Sequence, residues 1–518
     1  MKSHTDLRTT SLALRALAVA ALAHNALATD ITYVADTTDD RIYRLRDLNA
    51  DGDYNDPNEV GIFYDNAFGS VPMTSPNGLV VAADGTVLVC DSNTDLIVAL
   101  RDLDLDGSAL DSGEATVFFN GSAGGNASGV QMVAANALAL GPGGVVWVAS
   151  NNQISGSIIG DDAILRLEDL NADGDADDLG EARVFYAPAL GSGGVGDSIP
   201  TGVKVGLDGA LYYAENGVSG VLAKAIWRLD DVDGNGTIQF PAEAKVFFAI
   251  PPQPSNVFLW DVEQGPDGAW YVSDRGNEIL WRARDTNGNA QIGAGEFTAW
   301  FTGSAPSDLW SVRVGSDGSL YGCEAAEPDR IRRFVDTNAD NLIGAGEFSE
   351  LYDETLASFN ISNPRSIALA PDFAPPVNYC TAGTSTNGCA PAIGFSGAPS
   401  ASATSGFTLS ASGVEGQKQG LIFYGASGAL ALPWGAGSSF LCVKSPTQRL
   451  PASNSAGTLN ACDGVLASDW LAFVSSTPAA LGAPLAAGDV FQAQAWYRDP
   501  PASKSTNLSN ALEFTVTP

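Results

Sequence analysis

The run Asn77-Gly-Leu-Val-Val-Ala-Ala-Asp84-Gly85-Thr-Val-Leu-Val-Cys-Asp91 decides the fold. Two short β-rich segments flank Asp84-Gly85, a pair that turns a hairpin because glycine accepts a positive φ. The pattern recurs from Asn136 to Ser150, Thr201 to Glu215, Trp260 to Asp274 and Trp310 to Glu324. A period of this size marks stacked or ring-arranged supersecondary units. The chain's 57 glycines and 27 prolines are dispersed between short apolar runs, which points to an all-β chain with many turns.

A second signature follows each copy of the first. It is a strand such as Ala163 to Glu168, an Asp-rich loop, and a strand such as Ala182 to Tyr186. Each repeat thus offers four strands, enough for one blade of a β-propeller. The N-terminal copy has only three: Ile31 to Asp36, Arg41 to Arg46, and Gly61 to Tyr64. Its missing inner strand stands at the far end, as Ser366-Ile-Ala-Leu-Ala370. Joining the two termini in one sheet removes free edges, which a linear solenoid would not need. The expectation is a six-bladed β-propeller over residues 29–374, then a linker over 375–378 and a small disulfide-bearing β-sandwich over 379–518.

The Asp-rich loops carry the chemistry. They contain Asp47, Asn49, Asp51, Asp53 and Glu59; Asp102, Asp104, Asp106 and Glu114; Asp169, Asn171, Asp173, Asp175 and Glu181. The other three contain Asp231, Asp233, Asn235 and Glu243; Asp285, Asn287, Asn289 and Glu296; and Asp336, Asn338, Asp340 and Glu347. Oxygen side chains at loop positions 1, 3 and 5 converge on one point, and a late Glu can close the shell. Calcium, a hard cation wanting six to eight oxygens, suits that pattern. Asx turns alone explain one such loop, but less easily six at equivalent places. The last two loops have Ala290 and Asn341 where glycine is expected at position 6, so they are expected to be the weakest.

Resemblance adds to this reading. The array resembles the six-bladed propellers of the NHL, TolB-like and SMP-30/gluconolactonase group, through Pro76-Asn77-Gly78-Leu79 and Leu320-Tyr321 after Asp317-Gly318. The loops resemble those of EF-hands and dockerins, with a departure. In the standard loop the Glu lies eleven residues after the first Asp; here that holds for Glu296 and Glu347, and the other four lie twelve after. The flanks read as strands, so these are not true EF-hands. SMP-30-like lactonases hold a metal with a Glu, an Asn and an Asp at inner-strand starts. Only Asn77 fits cleanly, since Asp261 is displaced by one residue, which turns it to the other face.

In this fold the inner strands start, and the second strands end, around a central funnel. That places Asp36, Asp91, Glu215, Asp274 and Glu324 there, with Asn77, Asn136, Trp260, Trp310 and Arg365 nearby. They could bind a metal or a polar ligand; the plain alternative is that the acids cap strand ends.

Charge and targeting bound the partners. There are 60 Asp and Glu against 26 Lys and Arg, a net charge of −34. Nucleic acid and anionic membranes are therefore poor partners. Lys2, Arg8 and Arg15, an apolar stretch from Ala16 to Ala23, and Ala26-Leu-Ala28 read as a signal peptide over 1–28. The protein is expected to be exported, without membrane insertion, and monomeric. Both histidines, His4 and His24, lie in that segment, so His general bases and His-ligated metals are excluded from the mature chain. That also removes any counterpart of the catalytic His of six-bladed quinoprotein dehydrogenases. Cys90 and Cys323 read as small buried packing residues.

From Val377 onward Ser, Ala and Gly rise. Strands are expected at 406–410, 420–424, 439–444, 489–498 and 512–516. Export makes disulfides plausible. Of three possible pairings, the local one, Cys380–Cys389 with Cys442–Cys462, is preferred. The segment resembles a C-terminal module of secreted bacterial proteins, through Cys380 to Cys389, Pro433-Trp-Gly435 and Arg498 to Pro501. The expected function is a calcium-binding, non-catalytic binding or surface protein for a small molecule, glycan or protein. The alternative is a metal-dependent hydrolase or lactonase working in the funnel.

Overall fold

Each Asp-Gly hairpin opens a four-stranded antiparallel sheet. The computed structural model describes residues 30–151, 162–187, 198–217, 224–250, 256–303, 308–372, 376–435 and 439–517. The expected signal peptide and residue 375 of the expected linker lie outside them. In the sheet built on the opening sequence, Pro76–Val81, Val87–Asp91, Leu96–Leu100 and Ala115–Asn120 pair in that order. The two middle strands are buried at every residue, because neighbouring sheets cover both faces. Only the first and last strands retain exposed or half-buried positions.

Five further sheets repeat this order among the described residues. Their inner strands are Ala135–Leu140, Pro200–Val205, Leu259–Gln264, Leu309–Val314 and Pro364–Pro371. Successive inner strands adjoin one another, and the last adjoins Pro76–Val81, so the cycle closes. A cavity of about 220 Å³ is lined by Val80, Leu138, Val203, Glu263, Arg313 and Ala368, one residue from each inner strand. The sheets therefore surround an axis, an arrangement consistent with a β-propeller. Strands crowd there: a Cβ on Gly78 would lie 2.7 Å from the Cα of Ala137, and one on Gly202 would lie 2.8 Å from that of Asp261.

Both ends of the array build one sheet. Ile31 pairs with Ala370, Val34 with Ile367 and Ala35 with Ser366, so Pro364–Pro371 is the inner strand beside Asp30–Asp36. Arg46 also pairs with Asp372 at 2.6 Å, tying the termini of the array at its rim.

The C-terminal part has two main sheets. One contains Val377–Tyr379, Thr506–Thr515, Val490–Arg498, Gln419–Gly425 and Thr447–Arg449; the other contains Ala392–Ser396, Thr408–Val414 and Gly464–Asp469. They share a core around Phe407, Leu409, Tyr424, Trp470, Phe491 and Phe514. Strand pairing begins at Val377, so this unit starts inside the stretch expected to be linker. One helix, Trp470–Ser476, was not expected; the Asp469 side chain caps it by accepting from the Ala472 amide.

The preferred disulfide pairing is corrected. The bridges are Cys380–Cys442 and Cys389–Cys462, which span 62 and 73 residues. The reason is strand order. Val377–Tyr379 lies along the C-terminal strand, and the Tyr379 hydroxyl donates to the Cys442 carbonyl at 2.7 Å. The chain then turns through Ser385 to Cys389, whose carbonyl accepts from the Ser385 amide. Each cysteine thus reaches a segment far along the chain. Cys90 and Cys323 are unbridged and fully buried, and burial pushes both thiols up to about 12.

Two outcomes check this architecture. Ile367→Ala, in the fully buried seam between the termini, should cost about 2–4 kcal/mol, read as a lower urea midpoint. Non-reducing peptide mapping should recover the 380–442 and 389–462 linkages; a 380–389 peptide would contradict the strand order.

Candidate functional site

The six Asp-rich loops share one backbone. Each joins the third strand of a sheet to the outer one. The first Asp accepts the amide of loop position 6 in every loop: Gly52 to Asp47 at 2.9 Å, Gly107 to Asp102 at 3.0 Å, Gly174 to Asp169 at 2.9 Å. Gly236, Ala290 and Asn341 donate likewise to Asp231, Asp285 and Asp336. Position 6 is left-handed throughout, from φ 102° at Gly174 to 60° at Ala290. That conformation is easy for glycine and strained for Ala290. Position 4 is left-handed too, and Ala50, Leu105, Ala172 and Ala339 take that conformation in four of the other loops.

The late Glu clasps the loop. Glu59 accepts from the Leu48 amide at 2.8 Å and the Asp56 amide at 3.3 Å, one on each oxygen. Glu114, Glu181, Glu243, Glu296 and Glu347 do the same at equivalent positions. The Thr286 hydroxyl and the Gly293 and Thr286 amides hold the Glu296 carboxyl down, at about 2. Each clasping carboxylate keeps only part of its lone-pair capacity for a cation.

Loop position 8 makes a contact that the sequence reading did not single out. Its amide donates to a carbonyl on the outer strand of the preceding sheet. Tyr54 donates to Leu351, Ala109 to Phe63, Ala176 to Phe118, Ile238 to Phe185, Ile292 to Phe247 and Ile343 to Trp300, at 2.6–2.8 Å. The first of these crosses from the first sheet to the last, so the stitching is as closed as the ring.

The donor sets differ. Oxygens of Asp102, Asp104 and Asp106 lie within 4.8 Å of one another, as do those of Asp231, Asp233 and Glu243, and of Asp336, Asp340 and Glu347. Asp102 Oδ1 is buried and accepts no hydrogen bond, an oxygen that suits a cation. In the first and third loops an Asn side chain spans the acids instead. Asn49 donates to Asp51 and Asp56, and Asn171 to Asp173 and Asp178. Asp53 and Asp175 accept local amides. In the fourth, fifth and sixth loops Asn235, Asn287, Asn289 and Asn338 bond within the loop through side-chain atoms. The sixth loop, expected to be weak, gathers three carboxylates; among the described residues the fifth does not.

At the funnel mouth the acids fasten chain. Asp36 accepts four amides, from Thr38, Asp39, Ser362 and Asn363. Asp91 accepts four, from Thr74, Ser75, Asn93 and Thr94. Glu215 accepts from Ile199, Gly217 and the Ser198 hydroxyl; Asp274 from the Phe258 amide and the Asn277 side chain. Each ties the segment that enters its own sheet's inner strand. Glu324 accepts from Arg332 Nη1 at 2.7 Å, yet burial pushes its carboxyl up to about 7. Burial and the nearby Glu354 do the same to Asp329, which the repeat does not single out.

A bulge interrupts pairing near the start of every inner strand, between Pro76 and Gly78, Ala135 and Ala137, Pro200 and Val203, Leu259 and Val262, Leu309 and Ser311, and opposite Ala35 and Asp36. Bulges re-aim side chains. The second residues of these strands are Asn77, Asn136, Thr201, Trp260, Trp310 and Arg365. Asn77 donates to Asn136 at 3.0 Å, Asn136 to the Pro200 carbonyl and Thr201 to that of Leu259. Trp260 meets Trp310 edge to face at 4.4 Å, and Arg365 lies 3.5 Å over Trp310. Asp261 faces the next sheet, accepting from the Ser311 hydroxyl and the Val312 amide. Arg275, Phe258 and Lys224 join the mouth from outside the inner strands, where the repeat gave no signal.

No protein-family model matches this chain, and no curated protein matches it in sequence. Solved structures are similar at low overlap. A virginiamycin B lyase from Staphylococcus aureus, catalytically inactive and with quinupristin, is 18% identical over 56% of this chain and 73% of its own, with a TM-score of 0.34. The calcium-binding protein regucalcin from Agrobacterium tumefaciens is 16% identical over 52% and 73%, with a TM-score of 0.34. A gluconolactonase from Xanthomonas campestris is 14% identical over 57% and 79%, with a TM-score of 0.37. At these values the similarities carry nothing about activity, and the fold rests on the strand pairing.

Proposed function

We propose that the chain is an exported calcium-binding β-propeller of six blades, joined to a disulfide-held β-sandwich, that binds a ligand without transforming it. One observation carries the reading: six equivalent acidic loops, each stitched at position 8 to the preceding sheet. Calcium would be held by loop carboxylates such as Asp102, Asp104 and Asp106, and would supply positive charge where those acids repel one another. Its binding would then stabilise contacts between blades as well as within loops. Two long-range disulfides support an oxidising compartment. Among the described residues no helix is long and apolar enough to cross a membrane.

A second reading, a metal-dependent lactonase or hydrolase, draws on one observation. Glu324, raised to about 7 by burial, would exchange a proton near neutral pH. Against it, the mouth acids already accept backbone amides or an Arg. Asn77 is the inner-strand residue that a metal in the funnel would use, and its amide is turned to Asn136.

Three measurements test these readings. Millimolar calcium should raise the melting temperature several degrees above that in EDTA, and magnesium should do less; one site at a hundredfold excess over its Kd adds about 2.7 kcal/mol. Asp102→Asn should remove more of that gain than Asp285→Asn. An equal melting temperature in EDTA and calcium would overturn the calcium reading.

Lactone hydrolysis above the buffer rate is not expected. If it is found, and Asn77→Ala removes it, the second reading replaces the first.

The buried acids set a pH dependence. Asp329 is raised to about 7 in the folded chain, so the folded state holds its proton through a window where the unfolded chain has lost it. Its contribution is complete below about pH 4 and is lost as pH rises to about 7. Asp329→Asn should therefore gain roughly 1–3 kcal/mol over the parent at pH 8, and nothing near pH 4. An equal gain at both pH values would show that Asp329 titrates normally.

A further inference from the structure

One half of the funnel mouth differs in chemistry from the other. Asn77, Asn136 and Thr201 bond to one another or to neighbouring carbonyls and are satisfied. The opposite half holds Phe258, Trp260 and Trp310, with Arg275, Arg365 and Lys224 against their rings. Phe258 stacks on Trp260 at 5.9 Å and 16°. The guanidinium carbons of Arg275 and Arg365 each lie 3.5 Å from the Trp310 centroid, so the two like charges are no farther apart than twice that distance.

Their partners are unequal. Arg275 pairs with Asp308, whose other oxygen accepts from Trp310 Nε1 at 3.1 Å. Lys224 donates to the Asn216 carbonyl at 2.8 Å. Arg365 makes no hydrogen bond or ion pair among the described residues, and its Nε is buried without an acceptor. A guanidinium carries five donors and is costly to leave unpaired away from water. In a chain of net charge −34, with acids in large excess, Arg365 still has no anion paired with it among the described residues. Burial and the Arg275 charge lower the Arg365 pKa to about 10, the direction expected of a cation lacking its counter-ion.

We infer that this half of the mouth binds a small carboxylate carried on a ring that has an apolar face. The carboxylate pairs with Arg365, and the ring lies against Phe258 and Trp260, which are half-buried; Trp310 is buried and already carries both guanidinium groups on its own ring. The fit is chemical: Arg presents a planar fork to a carboxylate, and tryptophan faces take aromatic or sugar rings. The anionic surface elsewhere repels such a ligand, so affinity has to come from this site. The inference rests on the reading of the mouth as the ligand-binding face, and it names the ligand class.

Two ring sources share this chemistry, aromatic acids and uronic acids. The test is titration calorimetry with tryptophan fluorescence on the full chain in millimolar calcium, using benzoate and galacturonate against their neutral analogues benzyl alcohol and galactose. At least one acid should bind, roughly tenfold or more tighter than its neutral analogue, and its identity tells which source is meant. Arg365→Gln should lose that preference, while Asn77→Ala keeps it. The calcium-dependent melting of both variants should match the parent. If neither acid binds, or if acid and neutral analogue bind alike, the inference is overturned. If Arg365→Gln instead loses its calcium-dependent melting, the residue is structural and the inference is again overturned; loss of that melting in the parent would fault the calcium reading instead.

Discussion

Six backbone hydrogen bonds, each from position 8 of an acidic loop to the preceding outer strand, are the constraint on which the ring depends. Inner strands meet around the axis by packing and by side-chain bonds that differ from sheet to sheet, such as Asn77 to Asn136 and Ser311 to Asp261, and the outer strands diverge. At the rim, the loops supply the only repeated polar tie between sheets among the described residues. A loop can hold its position-8 amide outward only if its own turns are fixed. Those turns are fixed by carboxylates: the first Asp on the position-6 amide, the late Glu on two more. The residues that shape the loop are therefore also those that would hold the cation, and folding and ion binding draw on the same side chains.

Much of this was legible in the sequence. The period, the hairpin pairs and the split first repeat required strands near 31–36 to lie beside 366–370, and they do, with Ile31 opposite Ala370 and Ala35 opposite Ser366. Loop positions 1, 3 and 5 could be read because oxygen side chains alternate. Position 8 could not, because the bond is made by a backbone amide and its side chain varies from Tyr54 to Ala109 to Ile238. The disulfides were misread for a related reason. Proximity in sequence favours local pairs, and only strand order in the C-terminal sheets shows that Cys380 and Cys389 each face distant partners.

At the mouth, the sequence placed the ring but not its division. Asn77, Asn136, Trp260, Trp310 and Arg365 were found by their equivalent positions. Their satisfaction was not, because it depends on the neighbouring sheet. Asn77 ends on Asn136, whereas Arg365 ends on the Trp310 indole, which Arg275 also meets. Arg275 follows the second strand and enters the mouth only when the sheets are assembled. The acids expected there proved to be fully occupied by backbone amides at Asp36 and Asp91, which makes them fasteners of the strand entries rather than free ligands.

Amide hydrogen exchange tests the coupling of ion, loop and ring most directly. If calcium fixes the loops that join the sheets, the amides of Tyr54, Ala109, Ala176, Ile238, Ile292 and Ile343 should be protected in millimolar calcium. On chelation they should lose protection together, while strand amides such as Val89 lose less. Unchanged protection at those six amides after calcium is removed would contradict the coupling, whatever the ion does elsewhere.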